Sequence, residues 1–178
     1  TEERGFIKNK DINNFWIIDP IDGTTNFLNG VPHFCISIAL LFDKEIIAGV
    51  IYDPIKDELF YAEKNGGSYL NNKSIRVSKK KDTFSCLYGV NFRKNLPENL
   101  IIRNTGSAAL DLAYVSCGRF DGCLEKNVNI WDVAAGVILI KEAGGVVDNF
   151  EFKEFNKISI KASNEIISTD LSKKFNIF

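Results

Sequence analysis

The stretch Trp16-Ile17-Ile18-Asp19-Pro20-Ile21-Asp22-Gly23-Thr24-Thr25-Asn26-Phe27 constrains this chain more than any other. An apolar run ends in two carboxylates, and a Gly-Thr-Thr turn follows at once. Residues 16–18 read as a short buried strand. Asp19 falls where that strand should end, because Pro20 cannot donate to a ladder and fixes its own φ. The chain is expected to turn there. Asp19 and Asp22 then converge, with the carbonyl of Ile21 between them. Such a cluster of hard oxygen donors suits Mg²⁺. Gly23 permits a tight turn. Thr24 or Thr25 can cap a following helical turn, whose free N–H groups suit a phosphate. A plainer reading stands beside this one. Asp, Pro and Gly are turn formers, and a D-P-x-D-G string after a strand is often only a loop.

A second acidic position lies in Asn129-Ile130-Trp131-Asp132-Val133-Ala134-Ala135-Gly136-Val137-Ile138-Leu139-Ile140-Lys141-Glu142-Ala143-Gly144-Gly145. Val133, Gly136, Val137 and Ile140 recur at helical spacing, and Gly144-Gly145 ends the run, so 132–143 is expected to be a helix. Asp132 is an N-cap or first-turn residue. A carboxylate there can also face a cation, provided its two oxygens divide the tasks.

Both stretches resemble signatures of the inositol monophosphatase family of Mg²⁺-dependent phosphomonoesterases. The first is similar to W-[IV]-[IV]-D-P-[IL]-D-G-T-T-N-F, the second to W-D-x-A-A-G followed by E-A-G-G. The resemblance continues through Gly30-Val31-Pro32-His33-Phe34-Cys35-Ile36-Ser37-Ile38-Ala39-Leu40. It also covers Ala48-Gly49-Val50-Ile51-Tyr52-Asp53-Pro54 and Gly106-Ser107-Ala108-Ala109-Leu110-Asp111-Leu112-Ala113-Tyr114. Several ordered motifs over nearly the whole chain are specific where a single one would not be.

The resemblance implies roles residue by residue. Glu2 matches a glutamate that ligates metal and helps activate the attacking water. Asp19, the Ile21 carbonyl, Asp22 and Asp132 match the other metal ligands. Thr24 matches the threonine that orients the water. The Gly23 and Thr24 amides match a phosphate cradle, to which Ile21, Asp22 and Asp132 are adjacent in the substrate site. Gly106, Ser107 and Ala108 match a loop lining the substrate pocket, and Glu125 matches an acid that hydrogen-bonds substrate hydroxyls. Asn29 departs from the His common in the family's N-F-x-H-G. Family members carry an N-terminal helical pair before Glu2, so the chain is expected to be a fragment whose sheet lacks that cover. A homodimer is implied for the full-length form.

The 178 residues suit one domain, 1–178, and 45% hydrophobic content makes it globular. The net charge of −1, from 22 basic and 23 acidic residues, argues against nucleic acid as an obligate partner. Lys79-Lys80-Lys81 is expected to be a solvated loop. No apolar run reaches membrane-spanning length and no signal peptide is visible. The four cysteines, Cys35, Cys86, Cys117 and Cys123, form no C-x-x-C and read as buried thiols, which suits a reducing cytoplasm. The single His33 has no nucleophile pattern around it and reads as structural.

Strands are expected over 34–42, 46–52, 58–63, 68–70, 75–77, 84–90, 101–104, 120–125, 145–148 and 158–162. Helical segments are expected over 26–29, 107–117 and 165–174, besides 132–143. Strand runs with few helices indicate an α+β layered sandwich. The resemblance specifies the sugar-phosphatase type shared with fructose-1,6-bisphosphatase, lacking its N-terminal helices. The activity it implies is hydrolysis of myo-inositol monophosphate or a similar sugar or polyol phosphate by metal-activated water. Three alternatives remain: a 3′,5′-bisphosphate nucleotidase, a fructose-1,6-bisphosphatase, or a regulator binding RNA polymerase or ribosomal components. An aspartyl-phosphate enzyme would show D-x-D-x-[TV], which is absent.

Overall fold

The computed structural model describes residues 14–94, 96–148, 150 and 157–174. Six strands follow one another: β1 (Asn14–Asp22), β2 (Cys35–Phe42), β3 (Glu45–Asp53), β4 (Glu58–Glu63), β5 (Gly67–Leu70) and β6 (Lys73–Ser74). They form an antiparallel six-stranded sheet in chain order. The one-turn helix α1 (Thr24–Leu28) links β1 to β2. The hairpin residues Asp43-Lys44 and Asn71-Asn72 all have positive φ, the pattern that lets two-residue turns follow strand twist.

The second sheet has five strands in the order β10-β11-β9-β7-β8. These are β7 (Leu87–Val90), β8 (Ile101–Arg103), β9 (Gly122–Val128), β10 (Val146–Asp148) and β11 (Ile158–Ser163). β7 runs parallel to both β8 and β9, and the remaining pairs are antiparallel. Helices α2 (Ala108–Ser116) and α3 (Ile130–Glu142) form the layer between the sheets. α3 packs on β2, β3 and β4, and α2 on β7, β9 and α3. Eight of the nine residues of α2 and nine of the thirteen of α3 are buried, which explains the apolar composition of their interior faces. Helix α4 (Glu165–Lys174) adds Ile167 and Leu171 to a smaller core with Tyr88, Val90 and Leu124. The α+β layered sandwich is therefore the observed architecture.

Gly136 makes the helix pair possible. A Cβ there would lie 2.4 Å from Leu112 Cβ, so α3 approaches α2 more closely than any side chain would allow.

Some element bounds differ from the sequence reading. The segment expected as a strand over 75–77 lies outside the sheet, whose last strand is the two-residue Lys73–Ser74 just before it. Beyond it the backbone bonds elsewhere: Ile75 N–H donates to Ser68 O at 2.9 Å and Val77 N–H to Ala143 O at 3.2 Å. Strand β7 begins three residues late because Thr83–Ser85 form a 3-10 turn capped by Asp82, which accepts from Phe84 N–H at 3.2 Å. The lysine run is not wholly solvated. Lys80 Nζ pairs with the buried Asp121 carboxylate at 2.9 Å.

The inner face of the first sheet carries Ile17, Ala39, Leu41, Ile51 and Phe60 into the core. Its outer face alternates with these and is apolar too: Trp16, Ile36, Phe42 and Leu59 are all exposed. An antiparallel sheet with one wet face usually shows polar residues there.

Candidate active site

Asp19 and Asp22 are three positions apart, which on a regular strand would point them to opposite faces. The strand expected over 16–18 runs from Asn14 through Asp22, and a bulge resolves the problem. Asp19 pairs with Ser37 and Asp22 with Cys35, so one extra residue of β1 is accommodated between them. Pro20 fits such a bulge because the ladder asks no N–H of it. Both carboxylates end up buried on the inner side. Asp19 Oδ1 accepts the Ile21 N–H at 3.0 Å.

Asp132 comes from the first turn of α3 and is not its N-cap, which is Asn129. Its Oδ2 accepts the Asn129 N–H at 2.8 Å. That satisfies one orphan donor of the helix. One oxygen from each of Asp19, Asp22 and Asp132 lies within 4.8 Å of the others. Asp22 Oδ2 accepts hydrogen bonds from the Ser107 hydroxyl and from Ala109 N–H at 3.0 Å, with the Cys35 thiol 3.8 Å away. Burial pushes the Asp22 carboxyl up to about 7, and the negative charge of Asp132 pushes the same way. A cation among the three would reverse that balance.

The turn after Asp22 differs in detail from expectation. Gly23, and neither threonine, is the N-cap of α1, without a side-chain bond. Its φ is +89°, and a Cβ would sit 3.0 Å from His33 O, so only glycine fits. Thr24 is exposed, and its hydroxyl donates to Ile21 O at 2.9 Å. Asn26 Nδ2 bridges His33 O at 2.8 Å and Thr105 O at 2.9 Å, which ties this turn to the loop carrying Gly106, Ser107 and Ala108. Ser107 is the N-cap of α2 and accepts from Leu110 N–H at 3.3 Å. Glu2 lies outside the described residues.

Glu125, on β9, is buried beside Asp111 of α2 and Cys123. One ligand-type atom from each of the three lies within 4.8 Å of the others. The Cys123 thiol donates to Glu125 Oε1 at 3.5 Å. Burial pushes Glu125 up to about 8, the charge of Asp111 adds to this, and Asp22 and Asp132 are near enough to contribute. Asp111 is pushed up to about 7 by burial, against a hydrogen bond from Thr105 that lowers it. Sequence reasoning passed over Asp111, Thr105 and Asn26. The available signal was a carboxylate inside an otherwise uncharged helix. His33 packs against the Tyr114 ring at 6.0 Å, burial lowers its basicity, and Nε2 makes no hydrogen bond. All four cysteines are free thiols.

The inositol monophosphatase family profile matches residues 1–175. The chain belongs to the inositol monophosphatase family. It is 41% identical over 189 residues to an inositol-1-monophosphatase of Mesorhizobium japonicum, covering 97% of this chain and 71% of that one. It is 43% identical over 165 residues to the Nus factor SuhB of Xylella fastidiosa, covering 84% of this chain and 59% of that protein. Among solved structures, the inositol monophosphatase from Anabaena (Nostoc) superposes with a TM-score of 0.87 at 40% identity, covering 97% of this chain and 75% of that one. The extragenic suppressor protein suhB from Bartonella henselae gives 0.85 at 44% identity, covering 93% and 74%. Family membership supports a phosphatase activity, and the described residues include acidic groups able to hold a metal. No helix among the described residues is long and apolar enough to cross a membrane.

Proposed function

We propose that the chain carries the catalytic centre of a Mg²⁺-dependent phosphomonoesterase acting on myo-inositol monophosphate or a similar polyol phosphate. The observation that carries this reading is the convergence of Asp19, Asp22 and Asp132 from two separate elements. The three side chains are all carboxylates, with no imidazole or thiolate among them, and with the Ile21 carbonyl they make the hard oxygen set that suits a hard divalent cation. Mg²⁺ held there would neutralise the ester oxygens and acidify a bound water.

The chain's own residues account for the remaining work. The Gly23 and Thr24 N–H groups follow directly after Asp22 and are offered to the phosphate. Thr24, with Glu2, orients the attacking water. Thr24's hydroxyl already has an acceptor in Ile21 O, which fixes the direction of its lone pairs. Gly106, Ser107 and Ala108 line the substrate pocket, and buried Glu125 takes the ester's hydroxyls. A buried polar group discriminates because the wrong substrate leaves it unpaired.

The test is a panel of phosphate esters assayed on the full-length gene product across Mg²⁺ concentrations, with Mg²⁺ binding followed by calorimetry. Turnover of inositol monophosphate that vanishes without Mg²⁺ supports the reading. Preference for a 3′,5′-bisphosphate nucleotide or fructose 1,6-bisphosphate would replace the substrate. No turnover of any ester would defeat it. The identity to a protein named Nus factor favours one second reading, a regulator of transcription. Capture of RNA polymerase or ribosomal components by an Asp22→Asn protein would separate that role from catalysis.

A further inference from the structure

Thr105 is held from both ends. Its carbonyl accepts from Asn26 of α1 at 2.9 Å, and its hydroxyl donates to Asp111 Oδ1 at 2.7 Å. The same hydroxyl oxygen accepts the Ser107 N–H at 3.3 Å. The start of the loop that follows Thr105, Gly106 to Ala108, is therefore anchored on Asp111, while Ser107 further along it bonds Asp22. Asp111 in turn has little freedom. It is 2% exposed, and a Cβ at Gly89 of β7 would fall 2.6 Å from its Oδ2. The carboxyl is wedged between the Thr105 hydroxyl and the β7 backbone. Gly89 pairs with Cys123 across the sheet, which brings Asp111 against the wall that carries Glu125. Glu125 itself receives the Cys123 thiol, a weak donor, at 3.5 Å.

From these contacts we infer that Asp111 is a positioning residue that fixes the Thr105–Ala108 loop and the Glu125 carboxyl as one hydroxyl-recognising wall of the substrate pocket. The inference rests on the phosphatase reading above. Side chains that contact ligand need neighbours that lock them, and Asp111 supplies that lock without touching the reacting phosphate. It acts on the part of the ester that distinguishes a polyol from a plain leaving group.

The experiment compares myo-inositol 1-phosphate with p-nitrophenyl phosphate, which has no ring hydroxyls, on the full-length gene product with saturating Mg²⁺. In Asp111→Ala the ratio of kcat/KM for the inositol ester to that for the nitrophenyl ester should fall about ten-fold, chiefly through KM for the inositol ester. Thr105→Val, which removes the donor and keeps Asp111, should lower the same ratio. Asp111→Asn keeps an acceptor for Thr105 and should recover the ratio to within about two-fold of the parent. Equal loss on both esters, with a lowered Tm and an unchanged ratio, would show Asp111 to be structural and overturn the inference alone. An inactive parent enzyme would overturn the proposed function and this inference with it. If Asp111→Ala fails to fold, Thr105→Val and Asp111→Asn decide the matter.

Discussion

The hydroxyl of Ser107, the N-cap of α2, donates to the carboxylate of Asp22 on β1, 85 residues earlier in the chain. The same oxygen accepts the Leu110 N–H. One side chain thus starts a helix and orients a carboxylate of the proposed metal site. Ser107→Ala should lower stability by about 1–2 kcal/mol through the lost cap and the lost donor. It should also weaken Mg²⁺ binding, because Asp22 then keeps Ala109 N–H as its main donor. Denaturant unfolding and a calorimetric titration check the two effects separately.

Asp22→Asn should abolish Mg²⁺-dependent turnover and leave the fold intact. The substitution keeps the shape and removes the charge that a cation needs. Circular dichroism, Tm and phosphate release on the variant provide the test, and wild-type rates in Mg²⁺ would sink the assignment.

Glu125 and Asp111 make the metal-free protein sensitive to pH. Their folded-state affinities for protons are raised, to about 8 and about 7, by burial. The neutral forms are favoured in the folded chain, so this stabilisation is complete below the ordinary carboxylate range and lost as pH rises toward 8. Tm measured in EDTA should fall from pH 5 to pH 8, roughly the window these shifts define. Glu125→Gln, which has no proton to lose, should flatten the slope. A slope identical to that of the parent would contradict the argument.

Gly136→Ala tests the middle layer. The added methyl meets Leu112 Cβ at 2.4 Å, far inside contact distance, and must push α3 from α2. Overpacking of this kind costs about 1–3 kcal/mol. Asp132 lies in the first turn of the same helix, so Mg²⁺ affinity should fall along with Tm.

The outer face of the first sheet should bind apolar dyes. Trp16 is 59% and Phe42 51% exposed, on neighbouring strands and the same face. Contiguous apolar surface of this kind promotes association. The 178-residue chain should enhance ANS fluorescence, and Trp16→Lys with Phe42→Lys should reduce it. An unchanged signal would place the dye elsewhere.

The carboxylates and their order were legible in the sequence because donors and turn formers announce themselves by type. Their convergence was legible too, from the turn formers between them; the means of it was not. It depends on a bulge in β1, and a bulge exists only relative to the register of β2. Hairpins at Asp43-Lys44 and Asn71-Asn72 are the opposite case, since each is fixed by local φ preferences. Asp111 was illegible because its role arises from long-range packing. Nothing near it in the chain reveals that Gly89 leaves room for its carboxyl or that Thr105 turns back toward it. The segment over 75–77 looked like a strand by composition, and long-range partners at Ser68 and Ala143 claimed its N–H groups.

Among the described residues β1 is the outermost strand of its sheet, and it carries two of the three converging carboxylates, while the third lies in the first turn of a helix of the central layer. A rim strand breathes more readily than an interior one. An ion shared by all three groups would therefore be a fastener as well as a reagent, riveting the edge of the sheet to α3. Amide exchange in β1 should slow on adding Mg²⁺ far more than exchange in β4, so that the sheet's edge reports whether its reagent is in place.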